Sequence, residues 1–195
     1  MLQEDLRRHL SNLESRLAER FEGREKILLT SRELIRLCGE IVSLSHRREK
    51  DKALEKYKEA QVKVEELRKV LKSFPELLYG DVGTAFQELA EASVVISLYF
   101  QTPLGGPEDL GIPETYYVSG VADAVGEMRR TVLELLRRNR IEEAEELYKV
   151  MDEMYEMLWR LEYPKSLVPG LRQKIDMLRK ILEETNHDLF LARTA

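Results

Sequence analysis

The chain has 195 residues, with 31 Lys and Arg against 36 Asp and Glu, for a formal net charge of −5. That length suits a single domain with a real core, and a hydrophobic fraction of 43% excludes wholesale disorder. A lone cysteine, Cys38, excludes an intramolecular disulfide framework and fits a reducing cytoplasm.

The N-terminus is charged every few residues, unlike a signal peptide. Leu6, Leu10, Leu13, Leu17 and Phe21, then Ile27, Leu28, Ile35, Cys38, Ile41 and Val42, recur at helical spacing and predict one long helix from about Leu2 to Arg48. Gly23 is where that helix can kink. A charged turn at residues 47–52 leads to a second helix, about Lys52 to Ser73, whose alternating Glu and Lys mark a solvated face. Pro75 and Gly80 bound a short link. The third helix spans about Val82 to Gln101. Its apolar part, Ala92 to Phe100, is too short to cross a bilayer, so no membrane span is expected.

Two prolines and two glycines in residues 102–107 force a loop. Pro113 suits the first turn of a fourth helix, about Glu114 to Asn139. The fifth covers about Ile141 to Tyr163, Pro164 to Gly170 interrupts, and the sixth covers about Leu171 to Leu191. No stretch alternates as a strand does. The expectation is an all-α, single-domain bundle of about six to seven helices over residues 1–195.

The third and fourth helices carry the chemistry. Between Asp81 and Glu108 the only charges are Glu88 and Glu91, and between Glu114 and Arg129 only Asp123 and Glu127. Segments this apolar are buried on most sides. Residues at i, i+3 and i, i+4 share a helix face, so each acidic pair points one way. Small neighbours (Ala90, Ala92, Gly120, Ala122, Gly126) let the two helices approach, and if the faces meet, four carboxylates converge. Crowded carboxylates raise one another's pKa and need protonation, Arg or Lys partners, or a divalent metal. An all-oxygen set of high charge suits Mg²⁺ or Mn²⁺. Such a site can activate water and stabilise charge developing on a phosphodiester. Arg129 and Arg130, one turn or less beyond Glu127, can bind a substrate phosphate or neutralise the cluster.

Other residues have plainer readings. Cys38 has no His or Asp at triad-like spacing, the three histidines lack zinc spacing, and the Gly105-Gly106 loop lacks the Lys of a phosphate-cradling loop. Arg32 and Arg36 read as ion-pair partners of Glu33 or Glu40. Tyr116 and Tyr117 read as core or interface before base stacking. His46 beside Arg47 is a phosphate or base contact, or a helix-end dipole partner.

The block Gly83-Thr-Ala-Phe-Gln-Glu-Leu-Ala-Glu-Ala92 resembles the third helix of the translin superfamily. So does the run from Leu110 through Pro113, Gly120, Asp123 and Glu127 to Arg130. Ser31-Arg-Glu-Leu-Ile-Arg36 with Leu44-Ser-His-Arg47 is similar to the family's first helix, and Pro169 to Arg179 to its last. The likeness covers nearly the whole chain, and the order and spacing of these blocks carry it. It implies a translin-like fold. One branch, translin itself, binds single-stranded nucleic acid. The other, translin-associated factor X, carries a metal-dependent endoribonuclease site.

Glu88, Glu91 and Asp123 match that site's catalytic positions, with Glu127 alongside. The resemblance therefore implies a Mg²⁺- or Mn²⁺-dependent endoribonuclease of a compact archaeal or bacterial kind, acting on single-stranded RNA. These four residues would be its catalytic and metal-binding set, with His46, Arg47, Arg129 and Arg130 contacting nucleic acid. It also implies a homo-oligomer, an octameric shell with inward-facing sites. A net charge of −5 is unlike that of a typical nucleic-acid binder, so an acidic outside with a basic inner wall is needed. Competing readings are a non-catalytic binder of single-stranded RNA or DNA, an all-α nucleotide pyrophosphatase, and a pure scaffold bundle.

Overall fold

The computed structural model describes residues 1–194. Seven α-helices and one 3₁₀ turn, with no strand, make up the described residues: α1 (Leu2–His46), α2 (Lys50–Ser73), the 3₁₀ turn (Pro75–Leu77), α3 (Asp81–Phe100), α4 (Pro107–Leu110), α5 (Glu114–Arg137), α6 (Ile141–Trp159) and α7 (Leu171–Thr194). No described helix is long and apolar enough to cross a membrane.

The helix ends follow local chemistry. Gln101 adopts the left-handed conformation (φ 53°) and closes α3, and Ser97 Oγ donates to the Thr102 carbonyl at 2.7 Å. Pro107 opens the one-turn α4, an element the loop-forming composition of residues 102–107 does not announce. Pro113 caps α5 from outside its first turn. Helix α6 stops at Trp159, four residues short of the expected Tyr163. The residue before a proline is driven out of the helical region, so Pro164 unwinds the turn ahead of it. Helix α1 runs through Gly23 unbroken, with the Phe74 ring lying 3.0 Å from where a Cβ would be.

The core has two parts. Leu34, Ile41, Leu67, Phe86 and Leu89 anchor the first, shared by α1, α2 and α3. Val125, Val132, Met151 and Leu182 anchor the second, shared by α5, α6 and α7 and joined by Val94 of α3. The chain is thus two three-helix groups meeting along the α3–α5 seam, and the acidic pairs lie on that seam. The apolar residues of the first half of α1 are not in the core, because Leu6, Leu10, Leu13, Leu17 and Phe21 are all exposed.

Candidate functional site

The α3–α5 seam closes around Gly120. A Cβ there would lie 2.2 Å from the Gln87 carbonyl oxygen and 2.9 Å from the Glu91 backbone nitrogen, so only glycine permits the approach. Gly126 has open space around it and is not part of the contact. With the backbones this close, Glu88 and Glu91 of α3 look across at Asp123 and Glu127 of α5. All four side chains are half-buried.

Their electrostatics differ. Glu91 is pushed up to about 8, first by burial, then by Glu88, Asp123 and Glu127. Glu88 is raised by burial and by Asp123. Nothing among the described residues hydrogen-bonds to either carboxylate. Asp123 is compensated twice: the Lys174 ammonium of α7 donates to one oxygen, and Gln87 Nε2 donates to the other at 2.5 Å. Glu127 is held below its ordinary value, chiefly by the hydrogen bond from His46.

That histidine is the last residue of α1, and it starts a chain of polar contacts. His46 Nδ1 meets the Tyr99 hydroxyl at 2.6 Å, Tyr99 meets Thr131 Oγ1 at 2.7 Å, and Thr131 Oγ1 lies 3.0 Å from the Glu127 carbonyl oxygen. An ionised Glu127 only accepts, so Nε2 of His46 must carry a proton. In the neutral ring Tyr99 then donates to Nδ1. In the doubly protonated ring that bond reverses, and Tyr99 donates to Thr131, which donates to the Glu127 carbonyl. The network can hold a proton beside Glu127 in either arrangement.

On the far side of His46 and Tyr99 lies a cavity of about 810 Å³ lined by Arg47, Arg48, Arg130, Arg137, Arg138 and Arg140. Glu134 pairs with Arg137 at 3.1 Å and with Arg138 at 2.7 Å, Arg47 pairs with Glu49 at 2.7 Å, and Arg140 pairs with Glu143. Arg48 stands in the left-handed region (φ 62°), with its guanidinium 4.3 Å above the Tyr99 ring. Arg130 is exposed and only 3.7 Å from Glu127.

The four expected carboxylates therefore share one seam, with His46 joined to them and Arg47 and Arg130 at the adjoining cavity. Arg129 is not among them: its guanidinium turns to α7, bonding Thr185 Oγ1 at 2.7 Å and Asp188 at 2.9 Å. Arg36 pairs with Glu40 as expected, whereas Arg32 reaches Asp81 at 3.6 Å and Glu33 is taken by Lys63. Tyr116 packs on Phe86 and Gly83, and Tyr117 donates to the Gly105 carbonyl, both inside the fold.

Sequence reasoning missed Gln87, Tyr99, Thr131 and Lys174. The run Arg137-Arg138-Asn139-Arg140 was visible as a basic cluster, but nothing in it pointed to His46.

The donor chemistry suits a hard divalent cation, with four carboxylates on facing helices, two of them without hydrogen-bond partners. As the side chains stand, no three His, Cys, Asp or Glu groups among the described residues are gathered closely enough to hold one. Lys174 pairs with Asp123 and His46 hydrogen-bonds to Glu127 instead.

No family model matches the chain. It is similar to Uncharacterized protein MJ0175 of Methanocaldococcus jannaschii, 35% identical over 182 residues that make up 92% of this chain and 81% of that protein. AfC3PO, in its crystal structure and in its duplex RNA complex, superposes with a TM-score of 0.86 at 30% identity, covering 95% of this chain and 97% of that one. Apo-NeC3PO gives the same TM-score at 21% identity over 94% of this chain and 96% of its own, a likeness of fold. These C3PO structures are complexes of the translin and translin-associated factor X kind, and the chain belongs to the translin superfamily.

Proposed function

We propose that the chain is a Mg²⁺- or Mn²⁺-dependent endoribonuclease of the translin-associated factor X branch, acting on single-stranded RNA in the cytoplasm as a homo-oligomer. The octamer is taken from the family resemblance. The observation that carries the reading is Glu91, a half-buried carboxylate pushed up to about 8 beside an equally unpartnered Glu88. Neither carboxylate has a hydrogen bond or direct ion pair among the described residues, and Lys174 offsets their repulsion only from a distance; perturbed acidic pairs of this kind cluster at working sites.

Glu88, Glu91 and Asp123 would hold the cation, with Glu127 as a further ligand or its support. A bound Mg²⁺ or Mn²⁺ supplies activation of water and neutralisation of charge on the phosphodiester. The chain's own residues do the rest. Gly120 keeps the facing carboxylates close. His46, fixed by Tyr99, orients Glu127 and holds a proton next to it. Arg47, Arg48 and Arg130 offer guanidinium groups to backbone phosphates entering the adjoining cavity. Arg129, which was expected to contact nucleic acid, serves instead as a brace between α5 and α7.

One observation favours a second reading. Lys174 already pairs with Asp123 and His46 already hydrogen-bonds to Glu127, as in a binding protein whose acidic residues are structural. AfC3PO has been solved with duplex RNA, so both strand forms belong in the test. Labelled single-stranded and duplex RNA are incubated with wild type and Glu91→Ala in Mn²⁺, Mg²⁺ or EDTA. The nuclease reading predicts metal-dependent cleavage of the single strand that Glu91→Ala lowers at least about 100-fold, with binding retained. Binding without cleavage in any metal makes the chain a non-catalytic binder.

A further inference from the structure

The first half of α1 leaves the body of the molecule. Among the described residues its first ion pair to another element is Arg20 with Glu76, and the hydrogen bonds of residues 1–19 stay within the helix. About 27 Å of helix thus stands alone in water, and a lone helix of this length is marginal without a packed face. Yet it carries an apolar stripe: Leu2, Leu6, Leu10, Leu13, Leu17 and Phe21 are 73%, 49%, 61%, 48%, 57% and 61% exposed. At helical spacing these six fall within about 100° of arc.

Their spacing is symmetric. The intervals are four, four, three, four and four residues, so each apolar residue n has an apolar counterpart at 23 − n: Leu2 with Phe21, Leu6 with Leu17, Leu10 with Leu13. Only an antiparallel copy of the same segment uses that symmetry, since it puts residue n opposite 23 − n, and a two-fold interface is self-complementary in this way. The 3-4 spacing of Leu6, Leu10, Leu13 and Leu17 is that of a coiled-coil seam. On one flank of the seam Arg7 comes next to Glu14 of the other copy, twice over; on the other flank Arg16 comes next to His9, and within the seam Gln3 faces Arg20. A parallel pair would set Arg20 against its own copy in the seam and force both helical bodies to the same end.

We propose that residues 2–21 of α1 pair with the same segment of a second copy of this chain as an antiparallel coiled coil, with the two-fold axis between Leu10 and Leu13. The interface lies outside the carboxylate site and does not depend on the chemistry assigned there.

Cysteine pairing tests it on the full chain. Cys38 is buried and does not compete. In the antiparallel pair, position 6 lies opposite position 17, while position 6 and its own copy are offset by about 16 Å along the axis. A disulfide needs Cα atoms within about 7 Å. Leu6→Cys and Leu17→Cys chains, mixed and oxidised, are expected to give a disulfide-linked pair, and neither variant alone to give one. A pair from Leu6→Cys alone, or none from the mixture, overturns the proposal. As an independent readout, Arg7→Glu is expected to weaken self-association about tenfold by turning both Arg–Glu contacts into like-charge contacts. Adding Glu14→Arg restores it. If Arg7→Glu leaves association unchanged, or the charge swap does not rescue it, the antiparallel register is wrong.

Discussion

His46, at the end of α1, hydrogen-bonds through Nε2 to the carboxylate of Glu127, in the middle of α5, 81 residues along the chain. The contact ties the first helix group to the acidic seam, and it sets Glu127 apart from Glu91, which is raised where Glu127 is lowered.

His46→Ala should destabilise the protein by about 1–3 kcal/mol at pH 7, because a half-buried carboxylate and the Tyr99 hydroxyl each lose a partner. Glu127 has a folded pKa below its ordinary value of 4.5, so its contribution is present above about pH 4.5 and is lost as the pH falls through the folded value. The gap between wild type and variant in thermal unfolding should therefore narrow in acid.

Glu91 has the opposite sign. Its folded pKa of about 8 lies above the ordinary 4.5, so the protonated side chain is favoured in the folded state. The stability this gives is complete below about pH 4.5 and is lost as the pH rises through 8. Glu91→Gln removes the charge, and without metal it should match wild type near pH 4.5 and exceed it at pH 8.5. A gain of about 1–3 kcal/mol is expected after allowing for solvent screening. That corresponds to a rise in Tm of about 3–8 °C for a chain of this size. Melting curves in EDTA across that range measure it.

Two glycines in α5 separate the close approach from mere helix propensity. Gly120→Ala forces a Cβ against the Gln87 carbonyl and the Glu91 nitrogen, and should cost about 1–3 kcal/mol and spread the acidic seam. Gly126→Ala meets nothing and should stabilise α5 by up to about 1 kcal/mol. Urea unfolding of the two variants checks the contrast.

Lys174 is the internal cation of the seam. Lys174→Met should lower stability in EDTA, since Asp123 loses its ion pair. It should also enlarge the rise in Tm produced by Mn²⁺, because the added cation no longer competes with an ammonium group. A Mn²⁺ shift equal to that of wild type would mean that Lys174 and the cation do not share Asp123.

The acidic set was legible in the sequence because Glu88, Glu91, Asp123 and Glu127 are isolated charges in otherwise apolar helices, and helical spacing alone fixes which of them share a face. Their compensation was not. Lys174 sits in an amphipathic run where it looks like any solvated lysine, and Tyr99 and Thr131 are neutral residues whose partners are 53 and 32 residues away from Tyr99. Arg129 and Arg130 are adjacent in sequence, yet about 100° apart around the helix, so one faces α7 and the other the cavity. The spacing from Leu6 to Phe21 predicts a helix, and the structure has one, but it leaves open what that apolar stripe faces. Periodicity shows that a face is apolar, and it cannot tell a core within one chain from an interface between two.

The most direct measurement is the binding of Mn²⁺ at pH 8.5, followed by the loss of the free-ion electron paramagnetic resonance signal, for wild type and Glu91→Gln side by side. Wild type is expected to take up Mn²⁺, and the variant, folded and more stable in EDTA, to bind it at least about tenfold more weakly. Equal binding by the two proteins, or none by wild type, would contradict the assignment of the α3–α5 carboxylates as a metal site.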